Sequence, residues 1–206
     1  KSYIHYIILS PVDPYFTNGL KPIGVYVSTE FVRSTPGGTG EAKTPGNYAG
    51  SIAATEIALK KGYQQVLWLD SLERKFIDEV GAMNIAFVDD SKRVITPQLS
   101  GAILHGVTRD SLKTLSSSLG HEFIEKKLRI EEVVKMIKKG EIIEMFGMGT
   151  GALIAPVGKL FYEGEEITVG NGETGSTSSL LYKSLLDIQY GRKIDPYDWT
   201  ETIKVK

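Results

Sequence analysis

Residues 33–48, Arg33-Ser-Thr-Pro-Gly-Gly-Thr-Gly-Glu-Ala-Lys-Thr-Pro-Gly-Asn-Tyr48, decide how the rest of the chain is read. Four of the chain's 22 glycines (Gly37, Gly38, Gly40, Gly46) crowd around a single lysine, Lys43. Glycine at this density lets backbone approach a neighbour or ligand closely, or take positive φ, and ordinary residues do neither cheaply. A lysine in such a loop is a phosphate partner, a covalent nucleophile or a solvated surface charge. Taken alone, the solvated charge is the commonest of the three.

Composition narrows the choice. At 206 residues, with 41% hydrophobic and 24% charged side chains, the sequence can bury a substantial core and matches an ordinary globular protein. A net charge of −1 offers no bulk attraction to nucleic acid or an anionic membrane. The absence of cysteine removes disulfides, thiolate metal sites and a cysteine nucleophile, and fits the cytoplasm. His5, His105 and His121 stand apart, without metal-ligand spacing. No apolar run approaches the roughly 20 residues of a membrane-spanning helix. Lys1 stands where a methionine would open a complete reading frame, and a strand-like run follows at once, so a chain cut from something longer is expected.

Outward from the loop, the pattern alternates between the two periods of regular structure. Strands are expected at Tyr3–Leu9, Gly24–Arg33, Gln65–Leu69, Lys75–Val80 and Phe123–Leu128, with a loop over Pro14–Pro22. Ile85–Val88 and Arg93–Thr96 read as a hairpin around Asp89-Asp90. Ile142–Phe146 leads into a glycine turn, Gly147–Gly151, followed by strands near Ala152–Val157, Leu160–Tyr162 and Glu166–Val169. Helices are expected at Gly50–Lys61, Val107–Leu119, Ile130–Lys139 and Ser176–Tyr190, with Gly62 and Gly120 closing the first two. Strands outnumber helices and follow one another without crossovers, which predicts an α+β fold, β-rich with flanking helices, rather than a doubly wound sheet.

Gly37–Thr44, GGTGEAKT, nearly matches the nucleotide-binding P-loop, and VLWLD (66–70) imitates the strand whose aspartate would serve magnesium. Ala42 stands where that loop needs glycine, and Glu41 puts a negative charge in the phosphate cradle. Pro45-Gly46 is expected to forbid the helix that must follow the lysine directly.

Six blocks in order, GGTGEAKTPGNYAGS, QQVLWLD, EVGAMNIAFV, GVTRDSL, EMFGMGTGALIAPV and DIQYGR, resemble the branched-chain amino-acid aminotransferases, class IV pyridoxal-phosphate enzymes. The resemblance runs through all 206 residues and concerns only that family's large C-terminal domain, its small N-terminal domain lying outside this chain. It implies a class IV (D-amino-acid aminotransferase-like) fold, pyridoxal 5′-phosphate as cofactor, amino acids and 2-oxo acids as substrates, and a homodimer in the intact enzyme. Residue by residue, it makes Lys43 the Schiff-base lysine, Tyr48 the donor to the cofactor's phenolic oxygen, and Glu79 the partner of its pyridine nitrogen. Backbone amides of Val107 and Thr108 take the phosphate, together with Gly149 and Thr150. Thr150, Gly151 and Ala82 face the substrate carboxylate, and Arg33 lies near the cofactor.

The chemistry asks for these residue types in its own right. A free amine must attack a carbonyl carbon, and the same nitrogen can then move a proton. A carboxylate keeps a ring nitrogen protonated, and glycine turns with a helix N-terminus suit a phosphate. Without the blocks, Glu79 reads as a solvated strand residue, Tyr48 as a packing aromatic and Thr150 as turn chemistry. Ala82 replaces the family's threonine, Met148 a small polar residue and Pro45 a glycine, so carboxylate geometry differs from the family pattern. Other class IV chemistries, a D-amino-acid aminotransferase or an aminodeoxychorismate lyase, and a fragment inert by itself complete the alternatives.

Overall fold

A computed structural model of the chain describes residues 2–11 and 20–203. In chain order the elements are β1 (Ile23–Ser28), α1 (Pro45–Ala49), α2 (Ile52–Lys60), β2 (Gln65–Leu69), β3 (Ile77–Val80), β4 (Asn84–Asp89) and β5 (Val94–Pro97). They continue as α3 (Val107–Ser118), β6 (Phe123–Lys126), α4 (Ile130–Lys138), β7 (Ile142–Gly149), β8 (Leu153–Tyr162), β9 (Glu165–Thr168) and α5 (Ser176–Gln189). The strands form one sheet in the order β3-β2-β1-β8-β7-β4-β5-β6, with β9 pairing β8. Pairs β1·β2, β1·β8 and β5·β6 are parallel and the others antiparallel. The sheet curls until its ends meet. Phe76 and Arg129, just outside β3 and β6, form an antiparallel bridge, the Ile77 N–H donates to the Leu128 carbonyl, and Val80 at the end of β3 bridges Met83 just before β4.

Alternation along the strands builds two cores from one sheet. On β4, Ile85 and Phe87 join the core inside the curl, while Ala86 and Val88 join the outer core beneath α3 and α5. On β2, Leu67 and Leu69 point inward, and Val66 and Trp68 pack outward under Ala54 and Ala58 of α2. Helix α4 covers the inner core through Val133, Val134 and Ile137, its glutamates Glu131 and Glu132 in the first turn and Lys135 and Lys138 in the last. That charge order favours the helix dipole. Leu112 and Leu115 of α3 meet Leu181, Leu185 and Ile188 of α5, the stripe expected from sequence. Each such side chain contributes about 1.5–3 kcal/mol by burial, and the two-sided use of the strands explains why they read as nearly continuous apolar runs.

Several sequence expectations are corrected. Tyr3–Leu9 is not a strand here; its large side chains are exposed, and no described strand pairs with it, so β propensity has no ladder to join. β1 stops at Ser28 instead of running to Arg33, because Ser28 Oγ turns back to accept from the Phe31 N–H at 3.0 Å. The helix expected from Gly50 is preceded by a separate turn of helix, α1, that starts at Pro45 itself. Proline suits a first helical position, where its missing N–H is not needed, so the expectation that it bars a helix after the lysine is overturned. Gly147 and Gly149 lie within β7, the turn falling at Thr150–Ala152. Ala152–Val157 and Leu160–Tyr162 join as one strand, β8, which runs through Pro156 and Gly158. The expected Pro14–Pro22 loop falls largely on residues outside those described. The α+β class, the hairpin and the helix ends at Gly62 and Gly120 are found as expected.

Candidate active site

The sheet's closing seam forms the floor of a cavity of about 410 Å³. Lys43, Glu79, Ala82, Val107, Thr108, Gly149, Thr150 and Gly151, drawn from distant parts of the sequence, all line it. Arg33 and Tyr48 do not. Arg33 lies behind Glu79, and Tyr48 stands beside the lysine, with Lys43 Nζ 5.9 Å from its ring centroid.

The loop that carries Lys43 is held from two sides. Asn47, buried at the base of α1, donates to the carbonyls of Thr39 (2.8 Å) and Ala42 (2.9 Å), and accepts from Thr39 Oγ1 at 2.7 Å. Arg33 Nη2 donates to the Gly40 carbonyl at 3.1 Å and to the Ala102 carbonyl at 2.5 Å. A side chain at Gly40 would run into the Ala102 backbone, so the residue must be glycine for the loop to seat there. Lys43 itself is exposed at the rim.

Glu79 is the buried charge of the site, 2% exposed. Its Oε1 accepts from Asn84 Nδ2 (3.1 Å) and from the Leu104 N–H (3.0 Å). Its Oε2 lies 2.5 Å from Arg33 Nε. That Nε–H makes no aligned hydrogen bond, so the short approach is an ionic contact rather than a directed bond. Burial pushes the Glu79 carboxyl up to about 7, against the lowering pull of Arg33, the Leu104 N–H and Lys43. Desolvation wins over these opposing interactions.

Across the cavity, α3 begins at Gly106 with no side-chain cap, and its first backbone bond is Asp110 N–H to the Gly106 carbonyl. The amides of the first turn therefore remain available to an anion, with the helix dipole behind them. Thr108 Oγ1 and Thr150 Oγ1 stand 3.5 Å apart at this end. The floor, the amine and the anion end together suit a flat molecule with a basic ring nitrogen, a carbonyl and a phosphate.

Asn84 is the residue that sequence reasoning passed over, although it sits in the EVGAMN block and opens β4 ahead of the apolar run Ile85–Val88. It donates to both Glu79 Oε1 and the Leu104 carbonyl (2.9 Å), so Glu79 and Asn84 together hold the N–H and the C=O of Leu104 in the loop that leads to α3. His105 also lines the cavity and reaches Glu41 of the glycine loop at 3.3 Å.

Residues 2–160 match the family model described as amino-transferase class IV. A "Branched-chain-amino-acid aminotransferase 2" of Bacillus subtilis (strain 168) is 46% identical over 197 residues, covering 96% of this chain and 54% of that protein. Among solved structures, a branched-chain amino acid aminotransferase from Escherichia coli superposes with a TM-score of 0.74 at 30% identity, covering 86% of this chain and 56% of that one. The T.th. branched-chain amino acid aminotransferase with pyridoxamine 5′-phosphate gives 0.73 at 25% identity, covering 87% and 54%. The chain thus spans about half the length of the curated relatives it matches. With the fold, the cavity and the family match agreeing, this chain belongs to the class IV aminotransferases.

Proposed function

We propose that this chain is the cofactor-binding large domain of a branched-chain-amino-acid transaminase, exchanging the amino group of leucine, isoleucine or valine with 2-oxoglutarate. The observation that carries the reading is a buried carboxylate, Glu79, in one cavity with Lys43 and the uncapped start of α3. That donor set fits pyridoxal 5′-phosphate, which supplies, when bound, an electron sink for the pair left at the substrate's α-carbon. Glu79 holds a proton at the ring nitrogen, and a positive nitrogen there adds to Arg33 in drawing the carboxyl toward its ionised form. The amides of Val107 and Thr108, with Gly149 and the Thr150 hydroxyl, bind the phosphate. Lys43 Nζ, at the rim of the cavity, is the amine that would hold the cofactor at its carbonyl carbon and would serve as base toward the substrate's α-proton. Tyr48 orients the phenolic oxygen. Thr150, Gly151 and Ala82 border the substrate carboxylate.

The reading extends to a cytoplasmic homodimer of the full-length protein, supported by the absence of cysteine and by exposed apolar residues such as Ile52 and Leu59 on α2. Borohydride reduction of the full-length protein loaded with pyridoxal phosphate, followed by peptide mapping, is expected to place the added mass on Lys43. Mass on Lys60, Lys61 or another lysine, or no leucine-dependent glutamate formation from 2-oxoglutarate, overturns it.

A further inference from the structure

Glu79 has a neighbour on β3 that the reaction does not use. Successive strand residues face opposite ways, and Asp78 turns from the active-site cavity into a second one of about 210 Å³. Asp78 is 7% exposed, and no described residue makes a hydrogen bond or ion pair with its carboxylate.

The surrounding charges are otherwise engaged. Asp70, on the same wall, is saturated by the amides of Leu72, Glu73, Lys75 and Phe76. Arg33 is spent on Glu79, Gly40 and Ala102. Lys127 lies over the Phe76 ring, 5.5 Å from its centroid, and makes no ion pair with Asp78. Glu73 adds a further negative charge at the lining. A carboxylate buried without a partner is costly, and burial together with Asp70 pushes Asp78 up to about 7 against the lowering pull of Arg33. Pro36, Phe76, Pro97 and Leu99 supply apolar wall, Ser71, Gln98 and Ser100 add neutral polar groups, and Lys127 stands at the lining as its one cation among the described residues.

We propose that this cavity is a binding site for an organic cation, an alkylammonium or alkylguanidinium group whose head pairs with Asp78. The apolar walls take its methylenes. The volume lies below the roughly 300 Å³ at which pockets for drug-sized ligands begin, so the group is about the size of a lysine or arginine side chain. Two sources share that chemistry, a free small amine and a basic side chain of the longer polypeptide or of a second copy.

The test uses the full-length protein, its Asp78→Asn variant and the probes butylammonium, butylguanidinium and, as neutral control, 1-butanol. Titration of the Asp78 carboxyl is followed in parallel by carbon-13 NMR on the wild type. Binding of the charged probes but not butanol, weakened at least tenfold by Asp78→Asn, assigns the site to a free amine. No probe binding, with Asp78 titrating below the ordinary carboxylate range and Asp78→Asn lowering Tm, assigns it to a basic side chain already in place. Asp78 titrating near 7 without probe binding overturns the proposal. So does probe binding that Asp78→Asn leaves unchanged, or a depressed titration that Lys127→Met returns to near 7.

Discussion

At the scale of single residues, Glu79 concentrates the chemistry. Replacing it by glutamine keeps the bonds to Asn84 and Leu104 within reach and removes the charge that, in the function proposed above, holds a ring nitrogen protonated. The amino-transfer half-reaction of the full-length enzyme is expected to slow at least tenfold, about 1.4 kcal/mol of barrier, as read by single-turnover absorbance. The same burial makes a pH prediction for the cofactor-free protein. Asp78 and Glu79 are both raised to about 7, from 3.8 and 4.5, so the folded state binds more protons than the unfolded state between those limits. Their contribution to stability is therefore complete below about pH 4 and is lost as pH rises through 7. Denaturant midpoints measured from pH 4.5 to 8 should fall with pH, and the fall should flatten in the double variant Asp78→Asn, Glu79→Gln. That Lys43 and Glu79 line one cavity was legible because six ordered blocks pointed to both residues, where a loop lysine taken alone reads as a surface charge. Asn84 was not, because an asparagine at a strand end has many uses and only the fold brings it beside Glu79 and Leu104.

At the scale of elements, the cap of α5 shows how one buried side chain positions a helix. Glu144 of β7 accepts from the amides of Thr177 (2.9 Å) and Ser178 (2.8 Å) and from Ser178 Oγ (2.6 Å). Gly175, just before the helix, has no room for a side chain, since a Cβ would strike the Glu144 carboxylate. Glu144→Ala strips the acceptor from buried donors and is expected to cost about 2–4 kcal/mol in urea unfolding, whereas Ser179→Ala on the same helix should cost under about 1 kcal/mol. Sequence pattern located α5 and its Leu181–Leu185–Ile188 stripe, but nothing local pairs Glu144 with a segment over thirty residues away. β8 was split in two for a related reason. Gly158 falls in the gap between the two strands expected there, yet Val157 and Lys159 on either side of it pair with Ile23 and Gly24 of β1 in a ladder that local sequence cannot reveal. Tyr3–Leu9 fails in the opposite sense, a strong strand pattern with no neighbour among the described residues.

At the scale of the whole molecule, the cavity has one wall of exposed chain. Lys43 is exposed, and Val107 at the start of α3 is 78% exposed. A reaction that depends on excluded water needs those faces covered. The 206-residue chain alone is therefore expected to form glutamate from leucine and 2-oxoglutarate at less than about one-hundredth of the full-length rate, two decades or ~2.7 kcal/mol. A rate near that of the intact enzyme would falsify this. The curl of the sheet has a further consequence. The turn from Glu79 to Ala82 is fastened by the fully buried Trp68, whose indole N–H donates to the Gly81 carbonyl at 2.8 Å. The other tryptophan of the chain, Trp199, lies half-exposed and stacked on Tyr197, with ring centroids 4.3 Å apart. Replacing Trp199 by phenylalanine would leave Trp68 as the chain's single tryptophan, bolted to the floor of the site. Its blue-shifted emission would then dim or redden whenever that floor is occupied or comes loose, so the fold carries its own optical gauge of the active site.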